Sequence, residues 1–324
     1  MTKKLSLKMV TACIVIILGA VIPLFTQSAY FLTIITSAMI CSVIVIGLNF
    51  VTGLTGQMNL GTAGIVALGA YASAILTMKF NVPPLLTIGG ALVVGLVLGL
   101  MLGYPSLRVQ GVYLAITTIG FTEVVRILIN NAKITGGANG LMNIPAMSLF
   151  GFKLTSTTSI YYFNFVILVL VAIVAYRIVN SKWGRIFKAL RDEPDAVGAA
   201  GVNIASPKIL AFVLAMMLGA LGGALYTYQI RFVSPAPYTQ AYSTNFVLMM
   251  IIGGSGNVAG SIIGSFVITA LPEALRFLDD YYWLITSIVT LLFIIFLPNG
   301  LVSIFSPSAK QAKPLISLQG RRKK

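Results

Sequence analysis

The residue types able to do chemistry are few in this 324-residue chain: no histidine, two cysteines and seven carboxylates. Without an imidazole, neither a Ser–His nor a Cys–His pair exists to activate a nucleophile. No metal-ligand cluster is spaced along the chain, so an enzyme is the least favoured class. Cys13 and Cys41 both lie in apolar runs and read as small, reduced, buried residues. Two acids, Glu123 and Glu273, each stand three residues before an arginine, Arg126 and Arg276. That spacing puts each pair on one helix face, where it neutralises itself. Asp192, Glu193 and Asp195 lie together in a basic stretch, and Asp279 adjoins Asp280. The remaining polar chemistry is that of amides beside glycines. Asn49 precedes the segment Gly53-Leu54-Thr55-Gly56-Gln57-Met58-Asn59-Leu60-Gly61, and a similar segment runs Gly253-Gly254-Ser255-Gly256-Asn257-Val258-Ala259-Gly260.

Both glycine segments interrupt apolar sequence rather than join polar loops. The chain is 58% hydrophobic and 9% charged, with a mean hydropathy of +0.97; soluble domains carry about 25% charge. A polytopic helical membrane protein is the class that remains. Apolar runs fall at about 9–26, 30–52, 61–78, 84–104, 111–130, 160–178, 208–230, 244–258, 259–276 and 281–298, each near the roughly 20 residues that span a bilayer. The fold expected is all-α, with eight to ten transmembrane helices and glycine-rich broken helices in two related halves. Lys3, Lys4 and Lys8 before the first run resemble a secretory signal, but the run is long and is read as a retained span.

The formal net charge of +15 would suggest nucleic acid in a soluble protein. Here the basic residues sit in joints between apolar runs, so the partner they imply is the bilayer. The tail carries Lys310, Lys313, Arg321, Arg322, Lys323 and Lys324, and the joint at 179–207 carries Lys182, Arg185, Lys188 and Arg191. Residues 131–159 hold only Lys133 and Lys153. Both termini and the 179–207 joint are therefore expected in the cytoplasm, and 131–159 outside. That orientation puts both Glu–Arg pairs toward the outer ends of their spans, as interfacial anchors or the rim of an outer vestibule.

Broken helices at corresponding places in two halves are the sequence pointer to a transporter, because irregular backbone at membrane depth survives only where protein buries it or water lines it. The residues expected along a translocation path are Asn49, Gly56, Gln57, Asn59, Gly61, Gly254, Gly256 and Asn257. The 179–207 joint has its own organisation. Ile186, Phe187 and Leu190 are spaced as an apolar helix face, with Arg185, Lys188 and Arg191 on the polar side. Asp192 or Glu193 is placed to cap a second short helix opened by Pro194. Ala196, Gly198, Ala199 and Ala200 follow, and Gly201 ends it. A helix faced with Ala and Gly fits closely into a groove on another protein; the competing expectation is an amphipathic helix on the inner leaflet.

Taken together, these stretches resemble the LivM-type permeases, the membrane subunits of ABC importers for branched-chain amino acids. The resemblance rests on Gly53 to Ala70, Gly111 to Arg126, Thr135 to Gly140, the 181–203 segment, Gly222 to Tyr226, Ser234-Pro235, Ile252 to Gly264 and Leu297 to Leu301. It covers about residues 40–301. Asn59 and Thr62 depart from the Ser and His that the family often has in the first glycine segment.

The resemblance implies an organisation: residues 1–29 with the first span, a first permease half at 30–178, a cytoplasmic coupling segment at 179–207, a second half at 208–301 and a basic tail at 302–324. It implies two cytoplasmic ABC ATPases, a second, related permease and an extracytoplasmic binding protein, in a bacterial plasma membrane. No cofactor belongs to this chain. It has no G-x-x-x-x-G-K-[ST] sequence, so ATP and magnesium would be held by the partner ATPases. Arg185, Lys188, Arg191, Asp192, Pro194, Ala196 and Gly201 are the residues expected to couple to them. Urea or short amides are the alternative cargo, and a stand-alone carrier or channel the alternative machine.

Overall fold

The computed structural model describes residues 19–26, 28–109, 111–149, 152–275, 282–297 and 300–305. The chain is an all-α polytopic membrane protein, and among the described residues six helical stretches are long and apolar enough to cross a bilayer. Most of the run expected at 9–26 lies outside the described residues, as does the basic tail from 306; residues 19–25 are helical.

Helix α1 (Ala29–Leu48) continues into a π-helical turn, Asn49–Leu54. An extended segment leads from there to α2 (Thr62–Lys79). Pro84 then opens α3 (Pro84–Gly103) at a position where its missing N–H costs no hydrogen bond. Next come α4 (Val112–Asn131) and α5 (Thr157–Val179). The connection between them holds two 3-10 turns and a hairpin, Ser148–Leu149 against Phe152–Lys153. Two short helices follow, α6 (Lys182–Asp192) and α7 (Pro194–Ala199), and then the long α8 (Ala205–Ile230). The expected runs 244–258 and 259–276 form α9 (Gln240–Gly253) and α10 (Val258–Ala274), with α11 (Tyr282–Phe296) last before a final turn, Val302–Phe305.

α1 and α8 form the antiparallel centre of the bundle. Gln229 Nε2 donates to the Thr33 carbonyl at 3.0 Å, and Gly222 rests against Ile40 and Ile44. Further along, Gly47 rests against Ala215 and Leu218. α2 lies parallel to α8, with Gly223 against the Val66 carbonyl and Thr227 against that of Ala70. α3 crosses α8 antiparallel, with Gly95 and Gly99 on the backbone of Met216, Met217 and Val213. Lipid tails are as apolar as leucine, so burial drives no helix association; small residues let backbones approach instead. A side chain at Gly223 or Gly95 would overlap neighbouring backbone, which fixes glycine at both positions. α8 is therefore wrapped by α1, α2 and α3, which come far earlier in the chain.

Three hydroxyls add a polar tie near the far end of this core. Tyr228 Oη meets Thr77 Oγ1 at 2.6 Å and also meets Thr87, joining α8, α2 and α3. α3, α4 and α5 each keep a face uncovered by the rest of this chain, with Val97, Met101, Ile116, Val124, Val166 and Leu170 exposed.

Candidate functional site

The first glycine segment is a helix break inside the bundle. Gly47 lies level with Ala215, and Ile65 lies level with Gly219. From these levels, residues 55–61 climb roughly 10 Å of bundle depth without helical hydrogen bonds. Burial alternates along this stretch: Thr55, Gln57 and Asn59 point inward, while Gly56 and Met58 are exposed. Gly56 has φ +72°, a left-handed conformation that suits a residue without Cβ.

A break at this depth leaves backbone N–H groups that must find partners, and side chains supply most of them. Thr52 Oγ1 accepts from Asn59 N at 3.4 Å, and Thr118 Oγ1 from Leu60 N at 3.0 Å. Asn59 Oδ1 accepts from Gly61 N at 2.8 Å, and Ser243 Oγ from Ala63 N at 2.9 Å. Gln57 N reaches back to the Val51 carbonyl at 3.1 Å. Helices α4 and α9 thus stitch the break closed through Thr118 and Ser243. Sequence reasoning missed both, because a lone hydroxyl in an apolar helix carries no spacing signal. Two buried atoms find no partner here, Gln57 Oε1 and Thr62 Oγ1.

The second segment turns α9 back into α10. Gly254 (φ +118°) and Gly256 (φ +82°) make the turn, and Gly253 packs directly on Gly260. Asn257 caps α10, its Oδ1 accepting from Ala259 N at 3.0 Å. Its oxygen therefore serves backbone, as do those of Asn49 and Asn59; of the four amides expected along a path, Gln57 alone has a free buried oxygen.

The two breaks meet. Asn49, in the π turn, accepts from Gly256 N at 2.7 Å. Arg191, at the end of α6, closes the same knot by donating from Nη1 to the Gly53 carbonyl at 2.7 Å. A Cβ at Gly56 would lie 3.2 Å from Arg191 Cγ, and one at Gly256 would lie 3.7 Å from Arg191 Nη1. Burial of this guanidinium lowers its pKa from the ordinary arginine value. The sequence expectation put Arg191 on the polar side of α6, and the structure corrects it. Gly184, Phe187 and Arg191 recur at three- and four-residue steps on the inward face, and Phe187 meets Phe50 edge-to-face with centroids 6.4 Å apart. That spacing was present in the sequence, but a charge was assigned to solvent by type.

The rest of the joint is open. Ser181 caps α6, accepting from Trp183 N, and Arg185 and Lys188 face outward. α7 begins at Pro194 as expected, but neither Asp192 nor Glu193 makes a side-chain cap; Glu193 occupies the cap position without one. Asp192, Pro194, Ala196, Gly198, Ala199 and Gly201 are exposed, and Val197 alone in α7 is buried. Gly201, with φ +77°, ends the turn.

Glu123 and Arg126 form a bidentate pair, with Arg126 Nε 3.1 and 3.2 Å from the two carboxylate oxygens. The pair lies in the second half of its helix, with Arg126 five residues before Asn131. Glu123 stands eleven residues from Val112 and eight from Asn131. The second expected pair cannot be compared: Glu273 is described, and Arg276 lies outside the described residues.

A family model described as "Branched-chain amino acid transport system / permease component" matches residues 30–297. The chain is 31% identical over 299 residues to the high-affinity branched-chain amino acid transport system permease protein LivM of Salmonella typhimurium, covering 85% of this chain and 70% of that protein. Identity and coverage are the same for the protein of that name from Escherichia coli. The probable branched-chain amino acid transport permease protein LivM of Methanocaldococcus jannaschii is 25% identical over 301 residues, covering 85% and 82%. No solved structure matches the chain.

Proposed function

The chain belongs to the family of branched-chain amino acid transport permeases, and from that premise we propose that it is the membrane subunit of an ATP-driven importer for branched-chain or other hydrophobic amino acids. Two cytoplasmic ATPases, a second, related permease and an extracytoplasmic binding protein complete the machine. Eight to ten spans cross a bacterial plasma membrane, with both termini and the α6–α7 segment in the cytoplasm, as the distribution of Lys and Arg supports. ATP and magnesium are held by the partner ATPases.

The observation that carries the mechanism is the reach of Arg191 from α6 to the junction of both glycine breaks. The exposed Ala and Gly surface of α7 docks on an ATPase. When the ATPases close, α6 moves with α7 and takes the Gly53 and Gly256 turns with it. The bundle then shifts between two populations, one open to each side. The chain itself needs no phosphate-binding loop, because energy enters through this contact.

The test is co-expression with candidate ATPases, permease and binding protein, followed by purification and reconstitution. Uptake of a branched-chain amino acid and ATPase activity stimulated by the loaded binding protein are expected. Uptake by liposomes holding this chain alone would replace the reading with a stand-alone carrier, and stimulation by urea or an amide but no amino acid would replace the cargo.

A further inference from the structure

The Glu123–Arg126 pair is unexplained by the packing of this chain. The two side chains keep 46% and 38% of their surface exposed, so neither is covered by another helix. Their neighbours on the open face of α4 are apolar: Ile116, Val124, Ile127 and Leu128 are all more than half exposed. A Cβ at Gly120 would meet nothing within 4 Å. Ionised groups within a span are costly in lipid and mark pathways or partners by default.

The helix that carries the pair packs its buried side on the end of the first glycine break. Thr118 and Thr122 lie on the buried side of α4, both just before the charges. Thr118 holds Leu60 N, and Gly61 and Gly64 pack on the backbone of Thr118 and Thr122. Two buried atoms of residues 57–62, Gln57 Oε1 and Thr62 Oγ1, have no hydrogen-bond partner.

We infer that Glu123 and Arg126 form an exchange site for a zwitterion, on the wall that α4 contributes to the translocation path; this rests on the import function proposed above. An α-amino acid carries an ammonium and a carboxylate. These pair with Glu123 and Arg126 respectively when the internal salt bridge opens, and the site stays neutral throughout. Residues three apart on a helix have Cβ atoms about 5–6 Å apart, so the opened arms bracket a small dipolar head group. The exposed Val124 and Ile127 beside them suit an aliphatic side chain. The geometry favours zwitterions over ions of either sign, because a lone charge would leave one partner unpaired.

The experiment uses the complete complex in proteoliposomes and the double variant Glu123→Gln/Arg126→Gln, which removes both charges and leaves polar side chains in their place. Uptake of a branched-chain amino acid is expected to fall at least about tenfold, the scale of one lost charge-assisted hydrogen bond. Subunit composition should be unchanged. Glu123→Asp/Arg126→Lys, which restores both charges, should recover most of the uptake, a rescue that distinguishes the role from general damage. Normal uptake by the Gln/Gln variant overturns the inference. Loss of the second permease from that variant also overturns it, making the pair a subunit contact. Failure of the unmodified complex to import any amino acid would instead remove the functional reading on which the inference rests.

Discussion

Replacing Arg191 with alanine should uncouple ATP hydrolysis from transport without detaching the ATPases. The bond from Arg191 Nη1 to the Gly53 carbonyl is 2.7 Å long, and its donor is charged. A charge-assisted hydrogen bond of this kind contributes about 1.5–3 kcal/mol, and its loss leaves a buried carbonyl without that donor. Gly53 is buried in the π turn, so water does not readily take the place of the guanidinium. A link of that strength corresponds to roughly ten- to hundredfold in the equilibrium it biases. The assay is the ratio of ATP hydrolysed to amino acid imported in proteoliposomes, with ATPase copurification as control. Arg191→Ala should raise the ratio about tenfold or more at unchanged subunit stoichiometry. Arg191→Lys should fall between, since a flexible point charge reaches one carbonyl but cannot spread across both turns as a planar fork does. A wild-type ratio in Arg191→Ala would refute the reasoning: the cytoplasmic helices would then act on the breaks by some other contact.

Three further outcomes follow from the same geometry. Asn49→Leu removes the acceptor for Gly256 N and should cost about 1–3 kcal/mol, seen as a lower melting temperature and reduced uptake, whereas Asn49→Asp keeps an acceptor and should retain more of both. Ala196→Glu adds bulk and charge to the exposed face of α7, so ATPase copurification should be lost while the melting temperature of the permease stays within about 1 °C, the usual insensitivity of surface positions. Gly223→Leu places a side chain on the Val66 carbonyl at the α2–α8 crossing, which should abolish a monodisperse peak in size-exclusion chromatography.

Several parts of the site were legible in the sequence because they follow from local chemistry. The two glycine segments stand out as breaks, since glycine and amide residues inside apolar sequence oppose a continuous helix. Pro194 announces the start of α7, and Gly201 its end. The individual roles were less legible. Asn257 and Asn59 each hold a backbone amide two residues on, while Asn49 holds that of Gly256, a use that depends on where a second segment lies. Thr118 and Ser243 were invisible for the same reason: each serves a break far from it in sequence.

The sequence by itself determined the class of molecule, because composition decides the solvent and the spacing of apolar runs decides the spans. A chain with this little charge and no histidine has no means of general acid–base catalysis by imidazole, and its basic joints fit the edges of a bilayer. The tertiary structure alone decided that the two breaks are one site, since residues 49 and 256 are brought together only by the packing of α1 against α10. It also decided that Arg191 faces inward. Residue type assigns a guanidinium to water, but a carbonyl exposed by a helix break competes with water for it, and that carbonyl exists only once the bundle has formed.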